Sequence, residues 1–169
     1  LCELACTLAH EAGLAILSIY ETDFGVLEKD DRTPLTQADL QAHKIIEAGL
    51  LSAGAYPVLS EESAKNTIEA RREWDTYWLV DPLDGTREFL KRNGEFTVNI
   101  ALIHAHVPVI GVVHIPVTGE TYFAWQGGGT FKKIKDQRPT AIKTQCPAQA
   151  PLRVLESRSH ATLEFTTYL

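Results

Sequence analysis

The sequence predicts an α+β fold in which an antiparallel sheet is flanked by helices. The first residues repeat apolar side chains at the spacing of a helix with one buried face. Residues 96–103 alternate between apolar and polar side chains, as a half-buried strand does. Three further strand-like segments, 107–115, 121–125 and 130–134, follow with glycine and proline between them. Strands connected this closely predict an antiparallel meander.

Two helices are predicted near the start of the chain. The apolar face of the opening helix consists of Leu1, Leu4, Ala5, Leu8, Ala12, Ala15, Ile16 and Ile19. A second helix is predicted after residue 36, because Thr36 and Asp39 form a capping-box pattern in front of another apolar run. That run is Ala42, Ile45, Ile46, Gly49 and Leu50.

The most informative segment is 81–86, Asp-Pro-Leu-Asp-Gly-Thr, which directly follows the apolar run 77–80. That run predicts a buried strand, so the two acids lie at its carboxyl end. Proline and glycine permit a sharp turn that aims both carboxylates and the Leu83 carbonyl at one point. Such oxygen ligands suit magnesium. The same residue types also form ordinary acidic surface turns, so both interpretations remain open here.

A second acidic segment, 57–63, is a short apolar run that ends in Glu61 and Glu62. Both acidic segments follow strand-like runs, and ligands of open α/β sheets gather at strand ends. Glu61 would therefore complete an oxygen cage begun by Asp81 and Asp84. The alternative is a solvated acidic loop.

These segments together resemble the inositol monophosphatase superfamily of magnesium-dependent, lithium-sensitive phosphatases. The resemblance is carried by Thr-Gln-Ala-Asp at 36–39, Ser-Glu-Glu-Ser at 60–63 and Trp-Leu-Val-Asp-Pro-Leu-Asp-Gly-Thr at 78–86. Residues 81–103 and Ser-Arg-Ser-His at 157–160 are similar to the 3'(2'),5'-bisphosphate nucleotidase branch. The resemblance implies a layered αβαβα sugar-phosphatase-type architecture, with its C-terminal α/β part largely absent from this chain.

The resemblance also implies roles for individual residues. Asp39 and Thr86 match the catalytic pair that orients and helps activate the attacking water. The implied ligands of two or three magnesium ions are Glu61, Asp81, the backbone carbonyl of Leu83, and Asp84. The implied substrate contacts are Glu61, Leu83, Asp84, Gly85 and Thr86. Glu62 matches an acidic neighbour behind the metal ligands.

Direct attack by a metal-activated water is the expected chemistry. A phosphate monoester repels hydroxide, and metal ions neutralise that charge, lower the pKa of bound water and stabilise the leaving oxygen. Ser60 and Ser63 have no histidine near them in sequence, which argues weakly against a serine nucleophile. Backbone N–H groups of Gly85 and Thr86 would hold a phosphate oxygen at the start of a short helix.

The expected reaction converts adenosine 3',5'-bisphosphate to AMP and phosphate, and the sulfated analogue is an expected substrate of the same branch. An inositol monophosphatase or fructose-1,6-bisphosphatase is the alternative. A non-catalytic metal-binding fragment is a third hypothesis, since the family's C-terminal Trp-Asp-x-Ala motif is absent from this sequence. Accordingly, we expect residues 1–150 to form an N-terminal metal-binding domain and 151–169 to begin a truncated C-terminal α/β domain.

Composition narrows the range of partners and locations. The formal charge of −6 argues against binding a nucleic-acid polymer, whereas bound metals would still admit a small phosphorylated nucleotide. Arg87, Lys91 and Arg92 form either a solvated face or additional phosphate contacts. We expect no integral membrane span, because no apolar run looks long enough. A cytoplasmic protein is expected, with peripheral association at the inner membrane and homodimerisation as open alternatives.

Several other features have simpler explanations than a binding site. The glycine run 127–129 lacks the lysine and following helix of a P-loop, so it predicts a hairpin turn. His104, His106 and His114 are interpreted as ordinary strand or surface residues. His160 lines the substrate pocket only by the resemblance.

The three cysteines, Cys2, Cys6 and Cys146, indicate reduced thiols. Cys2 and Cys6 have the spacing of a zinc half-site, which remains an alternative.

Overall fold

The computed structural model describes residues 1–22, 34–54, 56–63, 71–151 and 153–155, with the backbone alone for residues 34–36. The predicted Ser-Arg-Ser-His segment and His160 lie outside the described residues. The helices are α1 (Cys2–Tyr20), α2 (Pro34–Ser52) and α3 (Thr86–Leu90). The strands are β1 (Val58–Ser60), β2 (Thr76–Asp84), β3 (Thr97–His104), β4 (Val107–Ile115), β5 (Glu120–Trp125), β6 (Gly129–Ile134) and β7 (Thr140–Ile142).

In the described part of the chain, the strands form a seven-stranded sheet in which neighbours in space are also neighbours in sequence. The pairs from β2 to β7 are antiparallel, which confirms the predicted meander. The prediction of a purely antiparallel sheet is wrong at one edge, where β1 pairs with β2 in parallel. A parallel pair needs a long crossover connection, and it brings both carboxyl ends to the same end of the sheet.

Helices α1 and α2 pack against each other and against the sheet, α1 on β3, β4 and β5, and α2 on β1 and β2. Alternate strand residues point toward the helices and close the core. The buried strand residues on this face include Trp78, Val80, Val98, Ile100, Leu102 and Val112. This arrangement confirms the α+β class, a mixed sheet flanked by helices.

Helix α1 owes its apolar composition to this packing. Its buried face consists of Ala5, Leu8, Ala9, Ala12, Gly13 and Ile16. By length and composition alone the helix is long and apolar enough to cross a membrane, so the expectation that no apolar run reaches that length is wrong. Contacts with α2 and the sheet bury this face inside the protein, as in the core helix of a folded domain.

The predicted start of α2 needs correction, and one strand was not predicted. Helix α2 begins at Pro34, so Thr36 lies in the first helical turn and not at the N-cap. Proline is well suited to the first helical position, because its missing N–H would lack a partner there anyway. Strand β7 was not predicted, since its residues are mostly exposed and show no clear alternation.

The glycine run forms the predicted hairpin between β5 and β6. The Gly128 N–H donates to the Trp125 carbonyl at 3.0 Å, and Gly129 already pairs with Trp125 across the two strands. Positive φ angles at Gly127 and Gly129 explain why glycine is used there.

Two histidines of the meander, His104 and His114, have ordinary hydrogen-bond partners. His104 is exposed and lies 2.8 Å from the Thr76 hydroxyl and 3.2 Å from the Asp75 carboxylate. His114 is buried, and its Nδ1 lies 2.9 Å from the Thr121 hydroxyl. Burial lowers the pKa of His114 to about 4, so the ring is neutral near pH 7.

The two cysteines of α1 face each other on one side of the helix. Burial, together with the neighbouring Cys2, raises the pKa of Cys6 to about 12. The Cys6 thiol therefore stays protonated at neutral pH, unlike a thiol prepared to bind a metal.

Close packing of α1 on α2 yields a stability prediction. A Cβ added at Gly49 would lie 2.2 Å from Cδ2 of Leu8, so Gly49→Ala should lower the free energy of unfolding by about 1–3 kcal/mol. The matched control is Gly111→Ala, where a Cβ meets no described atom within 4 Å and a change of less than about 0.5 kcal/mol is expected. Urea denaturation measures both, and equal losses would contradict the role assigned to packing.

Candidate active site

The parallel pairing of β1 and β2 places two acidic residues side by side. Ser60 pairs with Val80, so Glu61 and Asp81 follow directly at the same end of the sheet. The Glu61 N–H also donates to the Val80 carbonyl at 3.2 Å. The sequence prediction that the two acidic segments converge therefore has a structural basis in strand register.

The sequence predicted a strand over 77–80 with both acids after its end, but β2 continues through Asp84. Asp81 pairs with Asn99 and Asp84 pairs with Thr97, so two residues of β2 stand opposite one residue of β3. Such a bulge bends the strand and redirects its side chains. Leu83 inside the bulge is 1 % exposed, so only its backbone is available to a ligand, as predicted.

Asn99 is a site residue that sequence reasoning missed. Its Nδ2 donates to Asp84 Oδ2 at 3.2 Å, and its Oδ1 accepts from the Thr97 hydroxyl at 3.1 Å. This chain of bonds orients the Asp84 carboxylate from the neighbouring strand. The available signal was that Asn99 is a polar residue on the less buried side of an alternating strand.

Helix α2 brings Asp39 to the same place. Burial, together with the negative charges of Glu62, Asp81 and Glu61, raises the pKa of Asp39 to about 7. Glu62 acts on Asp39 through side-chain contact as well as through its charge. Asp39 is thus close enough to the other acids to be coupled to them.

Asp81 occupies the centre of this negative charge. Burial and the charges of Asp84, Glu61 and Glu62 raise its pKa to about 6, against a smaller lowering by the Leu83 N–H. Asp39 Oδ1 and Asp81 Oδ1 are buried without a hydrogen-bond partner among the described residues. Buried carboxylate oxygens without a donor are costly, and a cation would satisfy them.

The predicted metal ligands therefore fit a divalent cation in charge and donor type. They do not form a closed cage in this structure: over the ranges that it describes, no three His, Cys, Asp or Glu side chains are grouped closely enough to hold an ion. Glu61 and Asp84 are exposed, whereas Asp81 is half-buried. The arrangement is a set of mutually repelling carboxylates around one strand end.

Helix α3 begins as predicted, immediately after the bulge. Gly85 is its N-cap, with φ of 92°, and its carbonyl accepts from the N–H groups of Glu88 and Phe89 at 2.9 Å. A Cβ on Gly85 would lie 2.8 Å from the Glu95 carbonyl oxygen, so both conformation and space require glycine. Thr86 is exposed at the start of this helix, and α3 contacts α2, which carries Asp39.

A buried histidine beside Ser60 was also missed. His43 Nδ1 lies 3.0 Å from Ser60 Oγ, although the two residues are far apart in sequence. His43 is 8 % exposed and Ser60 is 5 % exposed, so both side chains are buried. Burial argues against Ser60 as a nucleophile. The sequence argument, that no histidine lies near this serine, does not hold in space.

A cavity of about 630 Å³ adjoins the acidic residues on the sheet face opposite α1 and α2. Glu61, Asp81, Asn99 and Arg71 are among its lining residues, so the two acidic segments share one cavity. A larger cavity of about 1130 Å³ lies between α1 and the β5–β6 hairpin, away from the acids. The smaller cavity is the better site candidate, because charged and polar groups converge there.

The basic residues after the motif differ in their contacts. Arg92 donates to the Thr22 carbonyl at 2.9 Å and lies over the Tyr20 ring, so it fastens the end of α1. Lys91 lies 3.9 Å from the Glu88 carboxylate. Arg92 is therefore exposed, in agreement with the solvated-face interpretation, and its guanidinium also makes a structural contact with the end of α1.

Comparison with known proteins adds a family context to this geometry. The inositol monophosphatase family model matches residues 1–168. The 3'(2'),5'-bisphosphate nucleotidase CysQ of Escherichia coli K12 is 46% identical over 167 residues, which are 97% of this chain and 66% of the relative. The chain thus spans about two thirds of the length of this relative.

Solved structures show the same similarity. The crystal structure of CysQ from Bacteroides thetaiotaomicron matches with a TM-score of 0.82 at 44% identity, covering 99% of this chain and 66% of that one. The extragenic suppressor protein suhB from Bartonella henselae matches with a TM-score of 0.63 at 31% identity, covering 77% and 50%.

The repulsion around Asp81 predicts a pH-dependent effect of neutralising it. The pKa of Asp81 is raised in the folded state, so its ionisation destabilises the fold above about pH 6 and has no effect below its ordinary value. In the presence of a chelator, Asp81→Asn should therefore raise Tm at pH 7.5 and leave it nearly unchanged at pH 3.5.

The control is Asp136→Asn, an exposed residue in the turn after β6, which should change Tm little at either pH. Thermal melts followed by circular dichroism measure both variants. A lower Tm for Asp81→Asn at pH 7.5 would show that the carboxylate stabilises the metal-free protein, which repulsion among these acids does not permit.

Proposed function

The chain belongs to the inositol monophosphatase family, and from that premise we propose that the protein hydrolyses a phosphate monoester, adenosine 3',5'-bisphosphate, to AMP and phosphate. The observation that carries the proposal is the convergence of Glu61, Asp81 and Asp39 at the ends of β1 and β2, with two buried carboxylate oxygens that lack a donor among the described residues. The choice of substrate is supported by relatives named 3'(2'),5'-bisphosphate nucleotidase. The sulfated analogue is proposed as a second substrate.

Magnesium, as two or three ions, is the proposed cofactor. Glu61, Asp81, the Leu83 carbonyl and Asp84 would hold it, because they are hard oxygen donors in a region of excess negative charge. When bound, it would neutralise phosphate charge, lower the pKa of the attacking water and stabilise the leaving oxygen. Glu62 would act from behind these ligands, beside Asp39, whose pKa its charge raises.

Asp39 and Thr86 are proposed to handle the attacking water. The Asp39 carboxylate would accept a proton, and its raised pKa of about 7 is close to the value that suits a general base. The Thr86 hydroxyl is exposed at the start of α3, where it would orient the water. The pair lies on two helices in contact with each other.

Substrate phosphate is proposed to contact the backbone of Gly85 and Thr86, since the first N–H groups of a helix have no acceptor within it. Glu61, Leu83 and Asp84 would contact the same phosphate through the bound cations. Net negative charge elsewhere on the chain supports a small anionic substrate held by cations over a nucleic-acid polymer.

Inositol phosphates and fructose 1,6-bisphosphate remain the alternative substrates within the family, and a metal-binding protein without catalysis is the alternative of a different class. Residues 1–150 are proposed as an N-terminal metal-binding domain, with 151–169 as the start of a second. We also propose a cytoplasmic location, with peripheral association at the inner membrane and homodimerisation as open alternatives.

A substrate panel tests the proposal. Purified full-length protein with magnesium should release phosphate from adenosine 3',5'-bisphosphate with at least about tenfold higher kcat/KM than from inositol 1-phosphate or fructose 1,6-bisphosphate. Asp84→Asn should lower kcat/KM at least about 100-fold with an unchanged circular dichroism spectrum, because it removes ligand charge and no core packing. Lithium should inhibit. Turnover of none of these esters would favour the non-catalytic alternative.

A second variant separates positioning of the water from binding. Thr86→Ala should lower kcat by about 100-fold and leave KM within about threefold, because the hydroxyl acts on the water and the backbone still contacts the phosphate. Thr86→Ser is the matched control that keeps the hydroxyl and should retain most activity. An effect of Thr86→Ala on KM alone would mean that Thr86 only binds substrate.

A further inference from the structure

A buried hydrogen bond between His43 and Ser60 joins α2 to the end of β1, and Glu47 lies at the other side of the histidine ring. His43 Nδ1 lies 3.0 Å from Ser60 Oγ, and His43 Nε2 lies 3.4 Å from the Glu47 carboxylate. The histidine and serine are both buried. A buried polar pair that satisfies its own hydrogen bonds fixes two elements in one relative position, since breaking it leaves unpaired groups.

The two ring nitrogens of His43 have different partners. The Glu47 carboxylate, which can only accept, lies 3.4 Å from Nε2, and the Ser60 hydroxyl lies 3.0 Å from Nδ1. The Ser60 hydroxyl is engaged with the ring whichever group donates, which suits a structural tether.

The hydrogen bond between His43 and Ser60 lies directly before the acidic residues of the chain. Ser60 is the last residue of β1, and Glu61 and Glu62 follow it. The turn is closed by the Ser63 N–H, which donates to the Ser60 carbonyl at 3.1 Å, and by the Ser60 N–H, which donates to the Ser63 hydroxyl at 3.3 Å. His43 therefore holds the residue from which the acidic turn is built.

The same helix face carries Asp39. Asp39, His43 and Glu47 are spaced four residues apart, so they lie above one another along α2. A fixed contact between His43 and Ser60 consequently sets the distance of Asp39 from Glu62 and Asp81. The charges of these two acids contribute to the raised pKa of Asp39.

We propose that His43 is a positioning residue: bonded to Ser60 and supported by Glu47, it fixes the acidic turn and Asp39 relative to each other for cation binding. This inference rests on the proposed function of the same site. His43 acts through Ser60 and is not itself one of the proposed ligands.

The experiment measures magnesium affinity in the absence of substrate, by calorimetric titration of the folded full-length protein. Ser60→Ala and His43→Ala should each weaken magnesium binding about tenfold, the loss typical for groups that orient ligands. The double variant should lose little more than either single variant, because both remove the same contact. His43→Asn, which places an amide near the Nδ1 position, should restore affinity to within about threefold of the unmodified protein.

His104→Ala is the matched control. His104 also has a hydroxyl partner, Thr76, but lies exposed at the far end of β2 and β3. Its loss should leave magnesium affinity unchanged.

Variants that lower Tm yet bind magnesium with unchanged affinity would overturn the positioning role and leave only a structural one. Additive losses in the double variant would also overturn it. If His43→Ala fails to fold, Ser60→Ala decides, since it removes a single oxygen. An unmodified protein that binds magnesium but hydrolyses none of the esters would refute the proposed function and still allow the positioning measurement.

Discussion

The parallel contact between β1 and β2 is the constraint on which the site depends. It sets Ser60 opposite Val80. Because of that register, Glu61 and Asp81 lie together at one end of the sheet. In an antiparallel pair the two segments would emerge at opposite ends. The bulge after Asp81 then turns Asp84 toward Asn99, so backbone pairing alone gathers charges that repel one another.

The fold tolerates this repulsion because its stability comes from elsewhere. Apolar residues of the two helices and of the helix-facing side of the sheet form one continuous core, and large side chains such as Trp78 and Phe89 are fully buried in it. The acids lie at the margin of this core, half in water. The pKa values of Asp39 and Asp81 are raised because both carboxyl groups are partly buried beside other acids. The apolar packing keeps these acids close together despite their repulsion.

Sequence patterns predicted those parts of the structure that depend on local periodicity. The buried face of α1, the alternation along β3 and the glycine turn at 127–129 follow from rules that act over a few residues. The register of β1 against β2, the bulge and the contact between His43 and Ser60 depend on distant partners, so no local pattern encodes them. The spacing of Glu61, Asp81 and Asp84 after strand-like runs suggested a metal site, and the family resemblance gave these residues their individual roles. The proximity of Asp39 to Glu62 required coordinates.

The shortness of β1 affects which part of the protein would unfold locally first. With three residues at one edge of the sheet, it is the kind of element that opens in local fluctuations while the central strands stay intact. Opening it would disperse Glu61 and Glu62 and leave the apolar interior closed. Molecules in which β1 has opened would therefore keep a folded spectrum but lose the pairing that sets Glu61 beside Asp81, and a ligand that needs both acids would oppose the opening.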